Sequence, residues 1–281
     1  MGYSLAMTLK TRNRLYFVFF LIASLVFLFY MVFLAYAFFS HGITPPENYI
    51  RTLKLASKIS FLPYSFSAVL FSLIAFSLYV PITSFVIYES FEKTQCLEVI
   101  YFAAFLIGCL LECMRFFVPL FELWKSYSAF LMFIGNSVIT GRLLCVLSLL
   151  FASLFSETEQ RQNAERNFVI LLSASVICGF LVPLNTTQTT STCMVLWGYR
   201  NVFFVIRLSL FLAAVSVLIV NAIRKSSKDL RYTSVGVTLL YIGYSFLCSA
   251  DNYVYFILGS VLLIAGTFMY LHSIHRLYMW H

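Results

Sequence analysis

Four charged residues stand inside apolar sequence: Glu112, Arg115, Arg142 and Arg207. Glu112 and Arg115 lie three residues apart within Cys109–Phe121. The apolar run leading into them, Val99 to Leu111, has 13 residues, roughly 20 Å of helix at ~1.5 Å per residue. A bilayer core needs ~30 Å, or ~20 residues. A helix that starts there crosses only by continuing through both charges to Phe121, which places Glu112 near the middle. A charge at that depth costs ~2.5–3.5 kcal/mol on insertion scales. Residues three apart share a helix face, so the two can pair, which lowers that cost without removing it. Two chemistries fit: a structural ion pair that locks helix packing, or a buried polar site facing the bundle interior. The closeness of the partner favours the lock.

Arg142 follows Thr140 and Gly141 near the middle of the next apolar segment. Glu112 lies 12 residues before Trp124 and Arg142 lies 18 after it. The axial offset of six residues is ~9 Å, near the reach of an arginine, so Glu112 is expected to serve both Arg115 and Arg142. Arg207 sits five residues inside a later apolar span, at a depth matching Arg115. Facing helices would then form an outward-opening polar cavity of three arginines and one glutamate. Arginine forks suit carboxylate and phosphate, so the expected ligand is an anion, a lipid headgroup or a small carboxylate. The alternative for Arg207 is that it snorkels to the interface.

Little other chemistry is on offer. The seven cysteines are odd in number, lack a CxxC pair and lie mostly in apolar segments, where they act as small apolar residues. Cys109 and Cys113, or His272 and His275, have ligand-like spacing, but too few further ligands converge for a metal site. Asn185-Thr186-Thr187 matches a glycosylation acceptor, which matters only in a eukaryotic secretory setting. No phosphate loop, nucleophile elbow, HExxH motif or paired coupling aspartates occur. One glutamate among arginines supplies neither an acid–base pair nor a nucleophile. No enzymatic activity, cofactor or nucleic-acid partner is expected.

The elements that must position these residues are membrane helices. Of 281 residues, 61% are hydrophobic and 11% charged, mean hydropathy is +0.90, and 31 are Phe. A soluble chain is ~25% charged. The expected fold is all-α, a single polytopic transmembrane bundle of eight spans at about 15–39, 61–88, 99–121, 127–155, 168–184, 202–222, 233–250 and 253–271. The first apolar run has 25 residues, too long for a signal peptide despite Ala35-Tyr36-Ala37. Pro45-Pro46 precedes a basic amphipathic turn with Arg51, Lys54 and Lys58, read as a short interfacial helix. Pro81 should end or kink the second span. Glu89, Glu92, Lys93 and Glu98 read as a polar connection, and residues 185–201 as a Thr-rich loop.

With the N-terminus in the cytoplasm, eleven Lys or Arg fall inside and five outside. This bias expects both termini in the cytoplasm of a cell, inner or plasma, membrane. The basic stretch 223–234 offers a surface to a protein partner. Three function classes follow: a non-enzymatic sensor or receptor-like bundle with the arginine cavity as ligand site, a small-molecule or lipid transporter using the same cavity, and a structural or assembly partner without a ligand. Missing coupling carboxylates count against ion-driven transport, and a missing output domain counts against a self-contained sensor.

Overall fold

The computed structural model describes residues 9–40, 43–46, 49–50, 63–92, 96–125, 129–155 and 164–279. Among the described residues eight long helices follow one another: α1 (Leu9–Ser40), α2 (Phe66–Ser90), α3 (Leu97–Glu112), α4 (Ala129–Leu154), α5 (Ala164–Leu181), α6 (Arg200–Arg224), α7 (Lys228–Cys248) and α8 (Tyr253–Met279). The expected interfacial helix around residues 47–58 lies almost wholly outside the described residues. Seven helices are long and apolar enough to cross a membrane, α3 together with its extension to Leu120 among them. The eighth, α7, is more polar. Much of its polar and small-residue content faces protein: Thr233, Ser234, Gly236, Tyr241, Gly243 and Tyr244 are all buried.

Two expectations about the backbone are corrected. Pro81 neither ends α2 nor marks its boundary: it is buried within the helix, which runs on to Ser90. Ser84 Oγ donates to the Pro81 carbonyl at 2.9 Å, while the carbonyl that the proline deprives of an N–H is that of Ser77, one turn earlier. Residues 185–201 are not a loop. β2 (Leu184–Thr190) and β3 (Val195–Trp197) form an antiparallel hairpin, and β1 (Tyr49–Ile50) pairs parallel to β2. The β-branched threonines suit the extended backbone. Cys193, at φ 57°, turns the chain.

α3 and α4 form the centre, and most of α4 is buried. They meet at glycines. A Cβ on Gly108 would stand 2.8 Å from the Gly141 carbonyl oxygen, and one on Gly141 would stand 2.8 Å from Leu111 Cβ. Real Cβ atoms do not tolerate such distances, so small residues set this close approach. α7 and α8 are seamed in the same way: a Cβ on Gly266 would stand 2.6 Å from the Leu240 nitrogen.

α1 lies on the outside with one face against α2. Near its start, Arg12 Nη2 donates to the Phe91 carbonyl at 2.6 Å and Tyr16 OH to the Val99 carbonyl at 2.7 Å. Glu98 does not belong to a polar connection. It is buried in the first turn of α3, where Tyr278 OH donates to its two carboxylate oxygens at 2.8 and 3.1 Å.

Candidate functional site

Glu112 ends α3, and its position follows from the glycine crossing. It lies four residues beyond Gly108, and Arg142 lies one residue past Gly141 on the antiparallel neighbour. The offset of five residues is about 7–8 Å, which an arginine side chain spans. Beyond Glu112 the helix tightens into a 3₁₀ turn, Cys113–Phe116, before one further α turn, Phe117–Leu120. Pro119 has no N–H for the Arg115 carbonyl and its ring crowds that oxygen, which accounts for the tightening.

Three of the four expected residues come together. Glu112 Oε2 lies 2.9 Å from Arg115 Nε, and Glu112 Oε1 accepts from Arg142 Nε at 2.8 Å. Tyr244 OH, from α7, donates to Oε1 at 3.0 Å. Glu112 and Arg115 are wholly buried and Arg142 is 4% exposed. Arg115 reaches further: its Nη1 donates to the Cys248 carbonyl at 3.1 Å and the Thr192 carbonyl at 3.4 Å. Cys248 is the last residue of α7, so the cation meets the carbonyl-rich negative end of that helix. Thr192 is in the turn of the β2–β3 hairpin.

The hairpin lies over the cluster. Thr190, Ser191, Thr192, Cys193 and Met194 are all buried, and the turn stands against Arg115. Several contacts fix the hairpin besides its pairing with β1, where the Ser191 N–H donates to the Ile50 carbonyl at 2.9 Å. Ser191 Oγ donates to Asp251 Oδ2 at 3.2 Å. Leu184 packs where a side chain on Gly135 would clash, 2.8 Å from its ideal Cβ. Trp197 lies between two guanidinium groups, with Arg142 Cζ 5.3 Å and Arg200 Cζ 5.2 Å from its ring centroid. Both distances are within cation–π range. Asp251 is therefore a buried anchor in the α7–α8 connection.

Arg207 is placed apart from the other three. It is half-buried on α6, close enough to Tyr244 and Cys248 to act on them electrostatically. Its Nε has no hydrogen-bond partner among the described residues, and neither has Arg115 Nη2. The sequence reading missed Tyr244, Trp197, Arg200, Thr192, Ser191 and the Cys248 carbonyl. Tyr244 is one of 18 tyrosines, and backbone carbonyls carry no sequence signal. Trp197 and Arg200 did carry one: an aromatic and a cation three residues apart, leading into a helix.

The thiols nearby act as packing groups. Cys145 Sγ donates to the Phe105 carbonyl at 3.4 Å and Cys113 Sγ to the Leu73 carbonyl at 3.8 Å. Among the described residues no three His, Cys, Asp or Glu side chains are grouped to hold a metal ion. No protein-family model, curated protein or solved structure matches the chain.

Proposed function

We propose that this is an eight-span, single-domain membrane protein with both termini in the cytoplasm, acting as a receptor-like bundle for an anionic ligand. The ligand is a small carboxylate or a phosphate-bearing headgroup, taken at Arg115 and Arg142 beside Glu112, with Arg207 at the margin of the site. The observation that carries the reading is an excess of cation. Two buried arginines share one carboxylate, and Arg200 and Arg207 add charge at the margin. The unpartnered Arg115 Nη2 and Arg207 Nε are donors of the kind that an oxyanion satisfies. The hairpin turn covers Arg115 and shares an apolar cluster with Val69, Val118, Leu131 and Ile134 through Cys193, Met194, Val195 and Trp197, so a ligand reaches Arg115 only by displacing it. The exposed residues Arg224, Lys225, Lys228 and Arg231 would face the cytoplasm, available to a protein partner or anionic lipid.

A second reading rests on a different observation. Both oxygens of Glu112 are already occupied by protein donors, as a structural lock requires. Labelling of Cys193, buried in the hairpin turn, separates the two. In the receptor reading, succinate, a phosphate monoester or a comparable organic anion changes the labelling rate of Cys193 by a reagent added to the outer face. In the lock reading the rate is indifferent to every anion at constant ionic strength.

A further inference from the structure

A cavity lies away from the arginine cluster, between α2 and α8. It has a volume of about 560 Å³, within the ~300–1,000 Å³ range of small-molecule sites. Its walls are apolar: Leu78, Ile82 and Val86 on one side, Ile264, Phe268 and Leu271 on the other. Where Tyr79 and Thr267 meet across it, their hydroxyls hydrogen-bond to each other at 2.7 Å, so neither asks a ligand for a partner. Along α2 the groove extends from Ala75 to Phe91, roughly 24 Å at ~1.5 Å per residue, enough to cover one leaflet's half of a ~30 Å hydrocarbon core.

One end of this groove is different. His272 and His275 line it beside Ser90, the last residue of α2. His272 lies 19 residues after the start of α8, about 28 Å along the helix, which places it at headgroup height. Its ring stacks on Phe268 at 5.6 Å, and His275 meets Phe91 edge-on at 5.6 Å. The same end of the bundle carries the exposed cations Lys228, Arg231 and Arg276, with Arg276 Nε 3.7 Å from Asp229 Oδ1 joining α8 to the start of α7. The acids at this end are Glu89, Glu92, Glu98 and Asp229, against Lys10, Arg12 and Arg14 at the start of α1 together with Lys228, Arg231 and Arg276.

We propose that the α2–α8 groove holds an acyl chain of an anionic phospholipid, with its phosphate at His272, His275 and Ser90. The occupant follows from the position. The groove is apolar over the depth of one leaflet, opens toward lipid, and ends in imidazole and hydroxyl groups beneath basic residues. Each nearby cation at a membrane surface is worth ~1 kcal/mol toward an anionic lipid, about fivefold in occupancy.

The test uses the full-length protein in nanodiscs containing phosphatidylglycerol or phosphatidylcholine, each with a photoreactive group at the end of one acyl chain. Adducts are mapped by peptide mass spectrometry. The expected result is labelling concentrated on residues 78–86 and 264–271, about fivefold higher for phosphatidylglycerol. Replacing both histidines, His272→Ala with His275→Ala, should bring the two lipids to parity. Filling the groove with Ile82→Trp and Ile264→Trp should remove these adducts while those on the exposed face of α1 persist, which also reports an intact bundle. Adducts spread evenly over α1, α6 and the groove would overturn the proposal, as would equal labelling by both lipids in the unaltered protein.

Discussion

Replacing Glu112 with leucine is the perturbation that most distinguishes a three-body cluster from a simple pair. Removing the carboxylate leaves Arg115 and Arg142 both buried and both without their ion-pair partner. Breaking a buried pair from one side costs ~3–5 kcal/mol. Arg115→Met should cost less, about 2 kcal/mol, because Glu112 keeps Arg142 and Tyr244 and the losses are hydrogen bonds to one carboxylate oxygen and two carbonyls. Arg142→Met should fall between them. The double variant of Glu112→Leu and Arg115→Met should remain poor, since Arg142 is still orphaned. In a two-body pair it would be milder than either single change. Only the triple variant, with all three positions apolar, should return to within about 1–2 kcal/mol of the parent, because apolar replacements of a whole buried ion cluster are often neutral or better. Unfolding of the purified protein in mixed micelles by titrated sodium dodecyl sulfate, followed by tryptophan fluorescence, gives these differences. The reasoning fails if Glu112→Leu costs no more than Arg115→Met, or if the triple variant loses the total of the three single losses within ~0.5 kcal/mol.

Three further outcomes are expected. Gly243→Leu should lower stability by about 1–3 kcal/mol, because a Cβ there would stand 2.9 Å from the Leu262 carbonyl carbon and Leu263 Cα; an unchanged melting temperature would contradict the close α7–α8 seam. Trp197→Leu removes both cation–π contacts, about 1–3 kcal/mol together, and should speed labelling of Cys193 as the hairpin loosens; equal rates would mean the tryptophan does not hold it. Lys225→Cys, in a background with Cys178→Ser, should react with an impermeant maleimide only after the membrane is opened; reaction in intact cells would overturn the cytoplasmic placement of the α6–α7 turn.

Much of the bundle was legible because hydrophobic length is a direct requirement of the bilayer. The apolar runs marked the long helices, with ends shifted by several residues where polar first and last turns continue the helix. Arg12 and Glu98 show why such ends escape a reading by composition. Both are charged, yet both are buried through hydrogen bonds to partners 79 and 180 residues away. The meeting of Glu112 and Arg142 could be estimated by counting from the hairpin at Trp124, because antiparallel neighbours share a depth scale. The small sheet could not. Its threonines read as a polar loop, and what buries them is the floor beneath, Arg115 and the carbonyl end of α7.

The most direct test of the arginine cluster as a ligand site is the thermal stability of the purified protein against organic anions, phosphate monoesters and neutral metabolites at fixed ionic strength, compared with Arg207→Gln. Arg207 is half-buried and its Nε is unpartnered, so the substitution should leave the unliganded melting temperature nearly unchanged. The account predicts that at least one anion raises the parent's melting temperature by several degrees, that this rise is lost in Arg207→Gln, and that neutral analogues do nothing. An absence of any anion-specific shift, or a shift that survives in Arg207→Gln, would contradict it and leave the cluster as a lock between α3, α4, α7 and the hairpin.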